Sequence, residues 1–265
     1  TASLVHAGVR KESSGYGIAP ALAPGGHLVD LLVGSEGTLA LFTAVELGLL
    51  PMAKRTATVL AAFRSLESAT ACAVAIGAAG ATACELLDRS FLEVASRGGP
   101  TGVREDAEAV LLCEVEGDGT DAIRAQLDQV LFICDENGAM ETRKASDPET
   151  EHQLWTLRHA ASPILASLAP RLRSMQFIED GCVPPEAFPA YVRGVREALQ
   201  RFAMPGVIFG HAGDAHAHVN PLVDTQAPGW RDRVHGVLQE VCALTARLGG
   251  TLAGQVREGT TPPSA

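Results

Sequence analysis

Three of the chain's eight histidines fall within the stretch Gly210-His211-Ala212-Gly213-Asp214-Ala215-His216-Ala217-His218. The apolar run Gly206-Val207-Ile208-Phe209 leads in and Val219 to Leu222 leads out, a pattern of strand, tight loop and strand. His216 and His218 stand two apart on the second strand, so they share one face, and the loop can fold His211 back beside them. Neutral imidazoles presented together suit a borderline divalent cation such as zinc, with a position left open for a substrate. The alternative is a polar hairpin whose histidines hydrogen-bond to backbone.

A second candidate is Val33-Gly34-Ser35-Glu36-Gly37-Thr38-Leu39. Gly34 and Gly37 let the backbone approach a phosphate or a ring, with the Ser35 and Thr38 hydroxyls as donors. An ordinary turn would use the same residues.

The elements that must position these groups follow from the pattern of the chain. Residues 1 to about 54 are glycine-rich with short apolar runs, Leu31–Val33 and Leu39–Val45, and read as loops and strands. From Arg55 the pattern alternates strand and helix. Ala57–Phe63, Thr82–Leu86 and Ala109–Glu116 read as strands. Ser65–Gly77, capped by the serine, Asp88–Ala95 and the amphipathic Asp121–Cys134 read as helices. Thr150–Leu168 reads as a helix kinked or broken at Pro163, and Arg171–Ile178 as a strand. Glu186–Ala203 and about Gly229–Leu248 read as helices, the latter stopped by Gly249-Gly250. Repeated strand–helix units of this length predict an α+β fold, a ferredoxin-like antiparallel sheet with helices on one face.

Composition narrows the function. A net charge of −10 with no compensating basic run excludes a general nucleic-acid backbone binder. Cys72, Cys84, Cys113, Cys134, Cys182 and Cys242 lack any close spacing and mostly sit in apolar runs. They read as reduced thiols of a cytoplasmic protein, neither a disulfide framework nor iron–sulfur ligands. No apolar span is long enough for a bilayer, and no basic-then-apolar signal opens the sequence. The chain lacks an initiator methionine and ends in the polar tail 260–265, so it reads as a piece of something larger.

Six short motifs, in order, resemble the FAD-linked oxidase family of the glycolate oxidase and D-lactate dehydrogenase type. Gly34-Ser35-Glu36-Gly37-Thr38-Leu39 resembles its GSEGTLG, and Lys11 to Tyr16 the K-N-x-x-G-Y that precedes it. Leu154-Trp155-Thr156-Leu157-Arg158 resembles LWxxR, and Glu179-Asp180-Gly181-Cys182-Val183-Pro184 resembles xDxxVP. The histidine hairpin is similar to GHxGDGNxH, and Gly249-Gly250-Thr251-Leu252-Ala253-Gly254 to GGTxSG.

The resemblance implies a flavin-dependent dehydrogenase of a 2-hydroxy acid such as D-lactate, glycolate or D-2-hydroxyglutarate. It places Gly34, Ser35, Glu36, Gly37 and Thr38 along FAD, and gives Arg158 the substrate carboxylate. Ser162 stands one turn beyond as an assisting hydroxyl. His211 and His218 match metal ligands, and Arg158, Ser162 and His218 become the catalytic set. Without the resemblance, Arg158 reads as a helix-surface ion pair with Glu151 or Asp147. Gly249–Gly254 and Phe177–Pro184 are most like the long members fused to an iron–sulfur electron-transfer module, which makes such a module a candidate for the otherwise unidentified electron acceptor.

The departures matter as well. Gln255 and Val256 stand where the family has Glu-His, which removes a ligand carboxylate and a base. Ala215 and His216 replace Gly-Asn, and His216 is available as a third ligand in place of the lost carboxylate. The family's main FAD-binding half corresponds to sequence upstream of this chain. Residues 1–54 are therefore expected to be the end of that half, and 55–259 the substrate domain. The isolated chain is expected to be inactive. The competing reading is a non-catalytic fragment that folds and binds a divalent metal; a metal-dependent hydrolase would account for the histidines but not the other motifs.

Overall fold

The computed structural model describes residues 6, 8–13, 15–166 and 171–253, with the side chains of 160–166 outside the description. Its centre is an antiparallel sheet in the order β4-β1-β3-β2-β7-β8-β5, with the short β6 pairing β8. The strands are β1 (Arg55–Phe63), β2 (Ala83–Asp88), β3 (Ala109–Gly117), β4 (Glu141–Ala145), β5 (Leu172–Ser174), β6 (Gly181–Cys182), β7 (Gly206–His211) and β8 (His216–Asp224).

The central strands are apolar at almost every position because both faces of the sheet are covered. Val59, Ala61, Phe63, Leu86, Leu111 and Ile208 turn to one face. There they meet α3 (Leu66–Ala78), α5 (Thr120–Glu136), α7 (Phe188–Arg201) and α8 (Trp230–Arg247). Leu60, Ala62, Leu87, Val110, Leu112 and Phe209 turn to the other, against α4 (Arg89–Ala95) and α6 (Pro148–Ala166). The antiparallel α+β architecture is the one the sequence predicts. Its main helical layer lies on one face, and α4 and α6 add a partial layer on the other. Ser65 caps α3 through the Ser68 N–H (3.1 Å), and Asp88 caps α4 through the Phe91 N–H (3.0 Å).

Three local expectations need correction, and one strand carries no signal in the sequence. Residues 15–54 contain two short helices, α1 (Ile18–Leu22) and α2 (Leu28–Leu32), and no strand. Leu39–Val45 finds no partner strand among the described residues, and Leu41 and Val45 are exposed. β4 escapes the sequence reading because its Glu141-Thr142-Arg143-Lys144 run is polar, as suits an edge strand. α6 is not broken at Pro163 and runs as one helix from Pro148 to Ala166, held to the sheet by Leu154 and Leu157 and by a Trp155 Nε1–H bond to Thr58 Oγ1 (3.1 Å). The strand expected over Arg171–Ile178 is confined to Leu172–Ser174; the Met175 N–H still reaches the Pro221 carbonyl (2.9 Å), but Pro221 of β8 has no N–H to return the bond and carry the ladder on.

All six cysteines are free, and five are buried. Among the described residues no helix is long and apolar enough to cross a membrane.

A short 3-10 turn, Ala212–Asp214, joins β7 to β8 and sits under α3. A Cβ added at Gly77 would lie 2.3 Å from the Gly213 carbonyl oxygen, a backbone atom that cannot swing away. Gly77→Ala is therefore expected to cost about 1–3 kcal/mol of stability, as overpacking does. It would also displace the turn that spaces His211 from His216. Urea midpoints of the two proteins check this.

Candidate functional site

The register of the sheet creates the site. Glu85 of β2 lies directly opposite His211 of β7, and Phe209 of β7 opposite His218 of β8. Directly opposed residues share a face, so Glu85, His211, Phe209 and His218 all look toward α6. His216 stands at the start of β8, two residues before His218. Ala215 supplies the tight reversal before it in a left-handed conformation, φ 55°.

The three imidazoles form a compact triangle, with ring centroids 4.6–5.4 Å apart. One nitrogen from each can be chosen so that all lie within 4.8 Å of one another. The His211 Nδ1 bonds to Glu85 Oε1, which leaves its Nε2 for another partner. Both nitrogens of His216 and the Nδ1 of His218 are buried without a hydrogen-bond partner. Asp180 Oδ1 approaches His216 Nε2 to 3.5 Å and His218 Nδ1 to 3.4 Å without satisfying either. Buried polar atoms left unpartnered carry a large desolvation cost, so this donor set fits a divalent cation.

Electrostatics keep the ligand nitrogens available. Burial, reinforced by His218, His211 and Lys11, pushes His216 down to about 3. Burial followed by His211 lowers His218. Burial raises the Glu85 carboxyl, but its bonds to His211 and Arg158 outweigh this and hold it at about 2. At neutral pH the site therefore presents the uncharged imidazoles of His216 and His218 beside the ionised Glu85 carboxylate.

The His216 shift has a measurable consequence. Unfolded, the ring takes a proton near its ordinary value of 6.5; folded, it does not until about 3. Its contribution to stability is thus complete above pH 6.5 and is lost as pH falls from 6.5 toward 3, by up to about 1.4 kcal/mol per pH unit. Urea midpoints of the metal-free protein at pH 7.5 and 5 should show this decline, and His216→Gln should flatten it.

Arg158 of α6 reaches down to the same place. Its Nε–H donates to Glu85 Oε2 (2.8 Å), and its guanidinium carbon lies 4.7 Å from the Phe209 ring centroid. The expected surface pair with Glu151 or Asp147 does not form. Glu151 instead accepts from the Thr56 and Thr58 hydroxyls (3.3 and 3.2 Å). The pairing partner, Glu85, is the residue sequence reasoning missed. Its signal was a lone carboxylate inside the apolar run Ala83-Cys84-Glu85-Leu86-Leu87.

The early segment closes one side of the turn. Lys11 Nζ pairs with Asp214 Oδ2 (2.8 Å), Arg10 donates to the Gly213 carbonyl, and Ser13 N–H bonds the Ala253 carbonyl (2.8 Å).

Gly34, Ser35, Glu36, Gly37 and Thr38 form a separate turn, with φ of 75°, 48° and 75° at Gly34, Glu36 and Gly37. Thr38 Oγ1 bonds the Ser35 carbonyl (2.6 Å) and the Tyr16 hydroxyl (2.9 Å). The Ser35 hydroxyl is enclosed without a partner. Among the described residues, no hydrogen bond or ion pair joins this turn to the histidines. Ser162 lies on α6 one turn past Arg158, its side chain outside the described residues, as are Gln255 and Val256.

Comparison with known proteins decides the family. Residues 52–255 match the FAD linked oxidases, C-terminal domain. The chain belongs to this family. It is 30% identical over 235 residues to glycolate oxidase subunit GlcD of Escherichia coli strain K12, covering 88% of this chain and 46% of that protein. It is 28% identical over 247 residues to D-lactate dehydrogenase of Archaeoglobus fulgidus, covering 92% and 50%. The D-2-hydroxyglutarate dehydrogenase of Pantoea ananatis is 29% identical over 249 residues, covering 88% and 24%. The chain thus spans half or less of the length of these relatives. Alkyldihydroxyacetonephosphate synthase shares the fold at 12% identity, with a TM-score of 0.59 over 86% of this chain and 46% of that one. So does 4-ethylphenol oxidase from Gulosibacter chungangensis, at 13% identity and 0.54 over 78% and 47%.

Proposed function

We propose that this chain is the substrate- and metal-binding part of an FAD-dependent oxidoreductase of 2-hydroxy acids. The observation that carries the reading is the cluster of buried, unpartnered imidazole nitrogens on His216 and His218, with His211 and the Arg158 guanidinium joined through Glu85. The names of the relatives, which act on glycolate, D-lactate or D-2-hydroxyglutarate, support the substrate class.

Arg158 binds the substrate carboxylate through its terminal nitrogens, since its bond to Glu85 uses Nε. His211, His216 and His218 hold a divalent cation such as zinc, and the Ser162 hydroxyl assists at the same end of α6. With the metal in place, the cation supplies Lewis-acid polarisation of the substrate hydroxyl. His218, as a ligand, then serves catalysis by holding the metal and not as a free base. Gly34, Ser35, Glu36, Gly37 and Thr38, where the enclosed Ser35 hydroxyl lacks a partner, would hold FAD, which would supply the acceptor for the hydride of the α-carbon while the hydroxyl proton passes to water.

Residues 1–54 belong to the flavin domain and 55–259 to the substrate domain, in a longer protein that passes electrons to an iron–sulfur module. Leu22, Leu28, Leu41, Leu47, Leu49 and Met52 are 70–92% exposed, the surface of a segment whose covering partner is further polypeptide. The 265-residue chain alone is therefore expected to stay colourless with added FAD and to turn nothing over. A flavin band retained after desalting would show that residues 1–54 suffice, alone or by assembly between chains. In the flavin-loaded longer protein, anaerobic addition of D-lactate, glycolate or D-2-hydroxyglutarate should bleach the visible flavin band. A flavin left oxidised by all 2-hydroxy acids contradicts the reading.

A further inference from the structure

Glu85 is a charged side chain 5% exposed in the middle of the sheet, and it makes two bonds to groups from different layers. One oxygen takes His211 Nδ1 across the β2–β7 register; the other takes Arg158 Nε–H from the helix above, at 2.8 Å. An ionised carboxylate only accepts, so both partners must present N–H to it. Each bond has a directional result. At His211 it fixes the proton on Nδ1 and leaves Nε2 free to bind a metal together with His216 and His218. At Arg158 it holds the guanidinium by its Nε edge while Phe209 supports the plane, at 4.7 Å to the ring centroid.

We propose that Glu85 is a positioning residue that sets the His211 tautomer for the metal and aims the terminal nitrogens of Arg158 at the substrate carboxylate. This inference rests on the metal and substrate reading above. Buried carboxylates behind ligand histidines tune affinity because they fix ring orientation and basicity. Here one carboxylate serves the metal ligand and the anion clamp together, so its loss is felt at both.

The test uses the full 265-residue chain, with E85Q, which fills the same volume but offers one acceptor where two donors converge, and E85A. Two-bond nitrogen–proton correlation of the histidine rings, on metal-free protein at pH 8, reads the His211 tautomer. Zinc competition against a chromophoric chelator reads affinity, and thermal melting reports folding. The wild type is expected to carry the His211 proton on Nδ1. Both variants are expected to lose that preference and to bind zinc about 10- to 100-fold more weakly. An Nε2–H tautomer in the wild type overturns the proposal. So does zinc affinity within about twofold of wild type in both folded variants, since outer-shell partners are normally worth more than that. A wild type that takes up no zinc refutes the metal reading instead, and the tautomer measurement still decides the role of Glu85.

Discussion

Zinc titrated into metal-stripped protein is expected to bind at about one equivalent per chain, and His211→Ala, His216→Asn or His218→Ala to weaken it by more than about 100-fold. The magnitude follows because outer-shell partners alone are worth about 10- to 100-fold, and a ligand is worth more. His216 is the informative position. The family resemblance puts asparagine there, and the position of the family's ligand glutamate is held by Gln255. A neutral amide is a poor zinc ligand, so a site with full affinity needs a third donor from elsewhere. His216 offers it with both ring nitrogens buried and unpartnered, held neutral by burial and by its histidine neighbours. Chelator competition on the three variants measures the effect. Affinity unchanged in His216→Asn would return the site to two histidines and a donor outside the described residues.

The second large effect is expected at Arg158. On zinc-loaded protein, Arg158→Gln should weaken binding of D-lactate or glycolate by about 100-fold or more. Hydrogen bonds to charged groups contribute about 1.5–3 kcal/mol each, and two parallel bonds are lost together. Arg158→Lys should not restore it. Lysine keeps the charge but cannot bond Glu85 through one edge and a carboxylate through the other, and it forfeits the flat stacking on Phe209. Calorimetric titration of the 2-hydroxy acid separates the cases. A lysine variant with wild-type affinity would mean that charge alone matters there and that the fork geometry set by Glu85 is irrelevant.

What was legible in the sequence was whatever depends on local spacing. The period-two placement of His216 and His218 and the turn that returns His211 to them came directly from the residue pattern. So did the Ser65 and Asp88 helix starts, which need only a short polar residue before an apolar helical face. What was hidden depends on pairing across the sheet. Glu85 becomes meaningful only once β2 lies beside β7 in a register that sets it against His211, and nothing within residues 83–88 announces that neighbour. Arg158 was identified, yet its expected partners were on its own helix, because helical spacing is visible in a sequence and a contact across 73 positions is not. β4 was missed for a related reason: an edge strand of charged residues carries no apolar alternation. The short runs before residue 54 were misread because apolar residues that meet no partner strand cannot form a ladder, however suitable their types.

Whether the metal and Arg158 form one substrate site is decided by calorimetric titration of D-lactate or glycolate into the wild-type chain, metal-stripped and then zinc-loaded. Binding is expected to appear with zinc and to disappear on its removal, because the cation and Arg158 act on the same small molecule. Equal heats with and without zinc, or a stripped protein that takes up no zinc at all, would contradict it.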